Sequence, residues 1–500
     1  MVSMRTVVVV LLTSLALAGC SSSSSSAPTI ASFTATPSSL PAGGGSVTLA
    51  WTVSGATSLS INQSVGTVTP VTTGSTSAQV TATTTFTLTA TNSGGSSTGT
   101  AQATVAPSVT VSGTVTDATG NIASGETVLI TSGTFSQSAV SDANGAFSVA
   151  NVPTPYNATI LDTGGVVASQ YQGLTRPDPT LTDFVTINQT MSASVAGQLT
   201  GGAFPQTTGL ATPVVFSSPQ TTASSSALSI VSNGPSYSGS VSWLGPTSTT
   251  GTLYALEVHT VSDLPVDYPG YGTASNVLLQ NGASYSGQTI PLSAVTSGSI
   301  SGTISGPAGY PVAGTELILE PSGASINTGG YFQLLNLATT STSFTYTTPA
   351  IPDATLVLIA AVRGTSGDFT LLKTTVSPNA TGLTLSVPAP PTLSLPIDAA
   401  TDVSYTTPFA WTNFTGVTFV VFTGTPTFYV VTAASTATIP DLTSSGLPLP
   451  TSAHYSWQLL GVGPATTVDA VAVPGGLDGQ IFSLGYFSES VNRTFTTAPP

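Results

Sequence analysis

Two histidines and one cysteine are all that this 500-residue chain offers for imidazole or thiol chemistry. The histidines are His259 and His454, and neither stands in an H-E-x-x-H spacing. No P-loop pattern occurs either. A hydrolase needs a nucleophile, a base and an orienting group held together, and no segment supplies the three. Ionisable groups concentrate in "LEVHTVSDLPVDYPGYG", Leu256 to Gly272. Glu257 and His259 are two apart, which on a strand puts them on one face. Asp263, Asp267, Tyr268 and Tyr271 follow in a loop. Such groups can contact a calcium ion or a sugar hydroxyl, whereas a zinc site would need more than one His. A ligand contact, if the chain has one, is therefore expected at Glu257, His259, Asp263 and Asp267. The plainer alternative is an exposed strand face running into a solvated turn. No catalytic residue, metal centre or cofactor is predicted. Asp117 in "DATG" and Asp142 in "DANG" precede glycine without a D-x-D-x-D-G series, and they read as turns.

The single thiol, Cys20, has no partner for a disulfide, and its neighbours explain it better. Arg5 is followed by an apolar run from Thr6 to Leu17, then by small residues. That is the order of an export signal. The run is too short to span a bilayer, which takes about 20 residues. Leu17-Ala18-Gly19-Cys20 resembles the lipobox of bacterial lipoproteins. The resemblance implies that residues 1–19 are removed and that the Cys20 sulfur carries diacylglycerol. Two or more acyl chains give stable anchoring, since each buried CH₂ contributes about 0.8 kcal/mol. Residues 20–27 then form the anchor and a serine tether. Ser21 rather than aspartate after the cysteine implies the outer membrane, by similarity to enterobacterial sorting.

Charged residues make up 5% of the chain, against about 25% in ordinary domains. Beyond the leader the permanent cations are Arg176, Arg363, Lys373 and Arg493, opposed by 19 acids. This balance excludes nucleic acid as a partner, because that binding rests on Lys and Arg. With 40% hydrophobic residues the chain is nevertheless expected to fold.

Short alternating runs broken by Gly, Pro, Asn and Ser predict an all-β chain, a string of about five β-sandwich modules. In residues 28–107, Val47, Leu49, Trp51 and Val53 share one strand face, and Phe86, Leu88 and Ala90 share another. This module resembles the immunoglobulin-like domains of bacterial surface proteins, with Trp51 as core tryptophan. It lacks the antibody-type disulfide, and Phe86 stands where a corner tyrosine is usual. "VSGTVTDATGNIASGETVLI" (Val111 to Ile130) matches "ISGTISGPAGYPVAGTELIL" (Ile300 to Leu319) without a gap. "GAFSVANV" and "GYFQLLNL" extend the match and place Phe147 opposite Phe332. Residues 108–194 and 298–388 therefore resemble carboxypeptidase regulatory-like, or transthyretin-like, sandwiches. Residues 195–297, opening on "SVAGQLTG", read as a diverged module of the same kind. Residues 389–500, with Trp411, Trp457 and a closing "RTFTT", resemble a fibronectin type III module. Both tryptophans are expected in its core.

The function these features imply is structural, spacing or adhesive, at the cell surface or the periplasmic face of the outer membrane, with no enzyme activity. The membrane is the expected partner, through the lipid on Cys20. A glycan or a protein would be the soluble one. The alternatives are a carbohydrate-binding surface protein and a periplasmic partner of an envelope assembly.

Overall fold

The computed structural model describes residues 25–118, 120–185, 190–203, 210–219, 227–228, 235–244, 246–324, 329–412, 414–474 and 485–500. Cys20 and the leader lie outside them. The fold is all-β and multi-domain, and its helical content among the described residues is two single 3₁₀ turns, Thr443–Ser445 and Val468–Ala470. The chain divides into two compact units, Met1–Ser108 and Val109–Pro500.

In the first unit, the strand Gly45–Ser54 pairs with Thr29–Thr36 and Thr73–Val80. Its alternation buries Val47, Leu49, Trp51 and Val53. Across the core, Thr84–Asn92 points Phe86, Leu88 and Ala90 inward. Full burial of each large apolar side chain contributes about 1.5–3 kcal/mol. The Trp51 Nε1–H donates to the Pro70 carbonyl at 3.0 Å, so the indole is buried without losing its hydrogen bond.

The second unit repeats one seven-strand plan. In the first copy, Ser108–Thr116 lies between Ala146–Pro153 and Thr180–Thr182. The facing strands run in the order Phe135–Val140, Thr127–Ser132, Tyr156–Leu161, Val167–Leu174. In the copy near residue 300, Thr296–Ser305 lies between Ser343–Ala350 and Leu383–Ser386. Its facing order is Phe332–Leu337, Val312–Glu320, Thr355–Arg363, Phe369–Val376. The middle segment has the same neighbours. Thr190–Thr200 lies between Ser236–Leu244 and Ser284–Ala294, and Val214–Ser217, Ser248–Leu256 and Gly270–Gln280 follow in order. There Gly270–Gln280 also pairs with Ser284–Ala294, which joins both layers into one seven-stranded sheet.

One glycine recurs at the same point of each first strand. A Cβ on Gly113, Gly197 or Gly302 would collide with the carbonyl of Pro179, Gln288 or Leu383, on or beside the parallel last strand. The sequence equivalence of Phe147 and Phe332, by contrast, does not survive. Phe147 sits on the strand beside Ser108–Thr116, while Phe332 sits on the outer strand of the facing sheet. Phe344, opposite Gly302, occupies the place of Phe147. A short G-x-F pattern fits either strand of a sandwich, and only the strand partner separates them.

The modules of the second unit are not independent beads. Val167–Leu174 of the first copy pairs in parallel with Thr427–Thr432 of the C-terminal module. The equivalent strand of the other copy, Phe369–Val376, pairs antiparallel with Gly485–Glu489. One 14-stranded sheet therefore runs from residues 127–174 through the C-terminal module to residues 312–376. The edges at Val167–Leu174 and Phe369–Val376, which would otherwise offer free backbone groups for aggregation, are thus covered by the C-terminal module. The cores merge as well: Val128, Ile160 and Tyr171 share a cluster with Phe419, Val462 and Phe487. Trp411 and Trp457 are buried in a second cluster with Phe409, whose ring lies 5.0 Å from Trp457.

Candidate functional site

The stretch from Leu256 to Gly272 is divided by the fold. Ser248–Leu256 belongs to the seven-stranded sheet, and Val258–Val261 belongs to a small sheet with Leu264–Asp267 and Leu210–Ala211. Glu257 sits at the break between them, where strand alternation no longer holds. It is 1% exposed, whereas His259 is half-buried. The two therefore do not share a face. The Glu257 Oε1 accepts the Ala203 N–H at 2.9 Å. Its own N–H donates to the Gly270 carbonyl at 2.7 Å. Burial raises its pKa, and the Ala203 hydrogen bond partly opposes this. Glu257 thus holds backbone in place inside the module.

His259 and Asp267 do come together. They are directly paired across a hairpin, with Nδ1 and Oδ2 3.2 Å apart on a partly exposed surface. Asp263 lies in the two-residue turn with Ser262, and both have positive φ, 64° and 51°. That is the geometry of a type I′ hairpin turn, which Asp tolerates. Tyr268 and Tyr271, expected in a loop, pack against the core of residues 296–387. Tyr268 is fully buried, and its hydroxyl donates to the Thr347 carbonyl at 3.1 Å. Of the four expected ligand residues, one is internal, two form a surface pair and one makes the turn. Val261, Leu264 and Val266 expose apolar side chains on the same hairpin.

Among the described residues, no three His, Cys, Asp or Glu side chains stand at metal-ligand spacing. His454 Nδ1 lies 3.2 Å from the Thr496 hydroxyl, away from His259 on another sheet. A groove of about 330 Å³ lies on the sheet of residues 312–371, where Glu316, Asn336, Arg363 and Phe369 line it. The Arg363 guanidinium sits 5.5 Å from the Phe369 ring centroid. No helix among the described residues is long and apolar enough to cross a membrane.

The reading of the sequence took Asp117 as a turn residue, and its Oδ1 accepts the Asn121 N–H at 2.9 Å, but it passed over Glu126, Asp162 and Asp183. Asp117, Glu126, Asp162 and Asp183 each extend the core-facing row of a strand: Val115 to Asp117, Val128 to Glu126, Ile160 to Asp162 and Leu181 to Asp183. The signal was present in the twin endings "TVTD" and "TLTD", where an acid falls on the inward parity.

No protein-family model matches the chain. No curated protein matches it. Among solved structures it is similar to the Bacillus anthracis TIE protein, at 10% identity over 71% of this chain and 74% of that one, with a TM-score of 0.16. It is similar to the Ca2+-stabilized adhesin with which an Antarctic bacterium binds ice, at 15% identity over 71% of this chain and all of that one, TM-score 0.12. A third is BcpA, the major pilin subunit of Bacillus cereus, at 11% identity over 56% and 99% of the two chains, TM-score 0.13. Likeness at this level bears on neither activity nor partner.

Proposed function

We propose that this chain is a lipoprotein held at the outer membrane through Cys20, and that its folded part serves as a structural or adhesive body at the cell envelope. The observation that carries the structural half is the 14-stranded sheet that knits three modules into one unit. A scaffold gains resistance to unravelling from that continuity. The "LAGC" motif and the serine run carry the anchoring half. Replacing Cys20→Ser should release the chain from membranes or leave its leader uncut. Maturation of that variant and its recovery with the outer membrane would overturn the anchor. Protease treatment of intact cells separates a surface role, in which the chain is cut, from a periplasmic one, in which it is protected.

A second reading, carbohydrate binding, draws support from the groove at Arg363. Glu316, Asn336 and Arg363 offer hydrogen-bond groups beside the apolar Phe369 ring, the usual composition of a small-molecule site. A glycan array with the wild-type chain and an Arg363→Ala variant tests it. Binding that the variant loses would support it, and an array without signal would reject it.

A further inference from the structure

Among the described residues of the first unit, the two sheets have four outer strands, and three of them are closed to a further strand. The five-stranded sheet ends at either side in a strand of two residues, Ser39–Leu40 and Gly66–Thr67. In the three-stranded sheet, Thr29–Thr36 carries a register break between Ile30 and Ser32. Its Ile30 and Phe33 lie against Gly99 of Gly95–Val105, so these two strands shield each other's edges. Shortness, bulges and covering are how native sheets block pairing with another chain. Thr73–Val80, the remaining outer strand, has none of these. Its sequence TGSTSAQV runs eight residues without proline or charge, and its register with Gly45–Thr52 is unbroken.

The backbone of this strand has one satisfied side and one open side. The Val53 N–H donates to the Thr72 carbonyl, and the same register sets Trp51 opposite Gly74, Leu49 opposite Thr76 and Val47 opposite Ala78. Hydrogen-bonded pairs alternate along an antiparallel ladder. Gly74, Thr76, Ala78 and Val80 therefore turn their backbone groups toward Gly45–Ser54. Thr73, Ser75, Ser77 and Gln79 turn theirs outward, and among the described residues no strand pairs along that side. The side chains of these four are exposed as well. Each carries one N–H donor and one C=O acceptor. A row of such groups is a template for strand addition.

Charge limits what can add there. From Ser25 to Ser108 the chain has no Asp, Glu, Lys, Arg or His, and all 19 acidic residues lie at Asp117 or beyond. A charged strand would find no counter-charge on this unit, whereas a second copy presents the same neutral strand. Away from this unit, copies of a chain with net charge -14 repel one another. The second unit handles comparable edges by the same means, since Val167–Leu174 and Phe369–Val376 are each covered by a strand of the C-terminal module.

We propose that Thr73–Val80 is a dimerisation edge, along which a second copy of this chain adds its own Thr73–Val80 in antiparallel register. The strand is complementary to itself. With Thr76 opposite Thr76 of the second copy, Ser75 faces Ser77 and Thr73 faces Gln79. These are the outward-turned residues, so every open N–H and C=O in the row finds a partner. The polar side chains stay together on the exposed face, and Gly74 meets Ala78 on the other. Pairing about a two-fold axis consumes the same strand of both copies, so assembly closes at the dimer and does not grow into a fibre. The pairing is independent of the anchor at Cys20.

The test uses the chain from Ser21 to Pro500, which keeps every described residue and has no cysteine. Sedimentation over a concentration series up to about 0.1 mM should show a monomer–dimer equilibrium. Ser75→Pro removes an outward N–H while leaving the bonds to Gly45–Ser54 in place. It should raise the dimer dissociation constant by about tenfold or more, since each copy loses a hydrogen bond. Ser77→Lys sets like charges on adjoining strands and should weaken the dimer as well, which guards against misfolding of the proline variant. Thr76→Cys, facing its own copy at a close pair, should form a disulfide-linked dimer on mild oxidation. Thr98→Cys, exposed on Gly95–Val105, should not. A wild type that stays monomeric throughout the series overturns the proposal. Dimerisation that both Ser75→Pro and Ser77→Lys leave unchanged overturns it too, since the contact then lies elsewhere, and so does equal cross-linking of the two cysteine variants.

Discussion

Thr370 and Ser488, 118 residues apart, share a fully buried hydroxyl–hydroxyl hydrogen bond of 2.8 Å. They face each other directly across the seam between the copy at residues 296–387 and the C-terminal module. The two buried hydroxyls are tolerated because each satisfies the other. The pair ties the two modules together at the seam.

Removing one hydroxyl leaves its partner buried and unsatisfied. Thr370→Val and Ser488→Ala should each lower unfolding stability by about 1–3 kcal/mol. Making both replacements together should cost less than the sum of the singles. A double-mutant cycle by urea denaturation measures the coupling, and additive losses would mean that the two hydroxyls are independent.

The seam also predicts what truncation does. A fragment of residues 108–388 keeps both copies but loses the strands that cover Val167–Leu174 and Phe369–Val376. It also loses Phe419, Val462 and Phe487 from the shared core. Such a fragment should aggregate or bind a hydrophobic dye, while the full chain does neither. A monomeric fragment with a sharp melt and no dye binding would show that the modules stand alone.

Trp457 is fully buried, and its Nε1–H has no hydrogen-bond partner. Trp457→Ala should cost about 3–5 kcal/mol through lost burial and the cavity left behind. Trp457→Phe should cost far less, because the smaller ring removes an unsatisfied donor along with some volume. Urea midpoints of the two variants give the comparison, and equal losses would mean that the indole N–H is satisfied in solution.

Stability should depend on pH through Asp183. Burial and the neighbouring carboxylates raise its pKa from an ordinary 3.8 to about 7. Between those values the native chain keeps a proton that the unfolded chain has released. The stabilisation is complete below about pH 4 and is lost as pH rises through 7, at up to about 1.4 kcal/mol per pH unit. Urea titrations from pH 5 to 8 should show this fall, and Asp183→Val should flatten it. A wild-type stability that rises across this window would contradict the assignment.

Much of the interior was legible in the residue pattern. Alternation alone placed Val47, Leu49, Trp51 and Phe86 in the core of the first unit, and each is buried. The strand-turn-strand segments of residues 111–130 and 300–319 read alike in sequence, and they occupy the same place in their sandwiches. The candidate site was less legible. The spacing of Glu257 and His259 implies a shared face only on an unbroken strand, and the chain changes sheet at Glu257.

Within an unbroken strand with one buried face, the sequence by itself determined which way the side chains point, because a strand alternates with a period of two and the apolar residues record it. It determined the turns, where Asp, Asn and Gly accept positive φ. Tertiary structure decided which strands meet along their edges. Every residue but proline presents the same N–H and C=O to a neighbouring strand, so the partner along an edge leaves little local signature. That is why Val167–Leu174 and Phe369–Val376 read as ordinary module edges and yet join the C-terminal module. It is also why four scattered acids, inward by parity, became one cluster only when the sandwich closed: parity gives each a direction, and packing gives them one another.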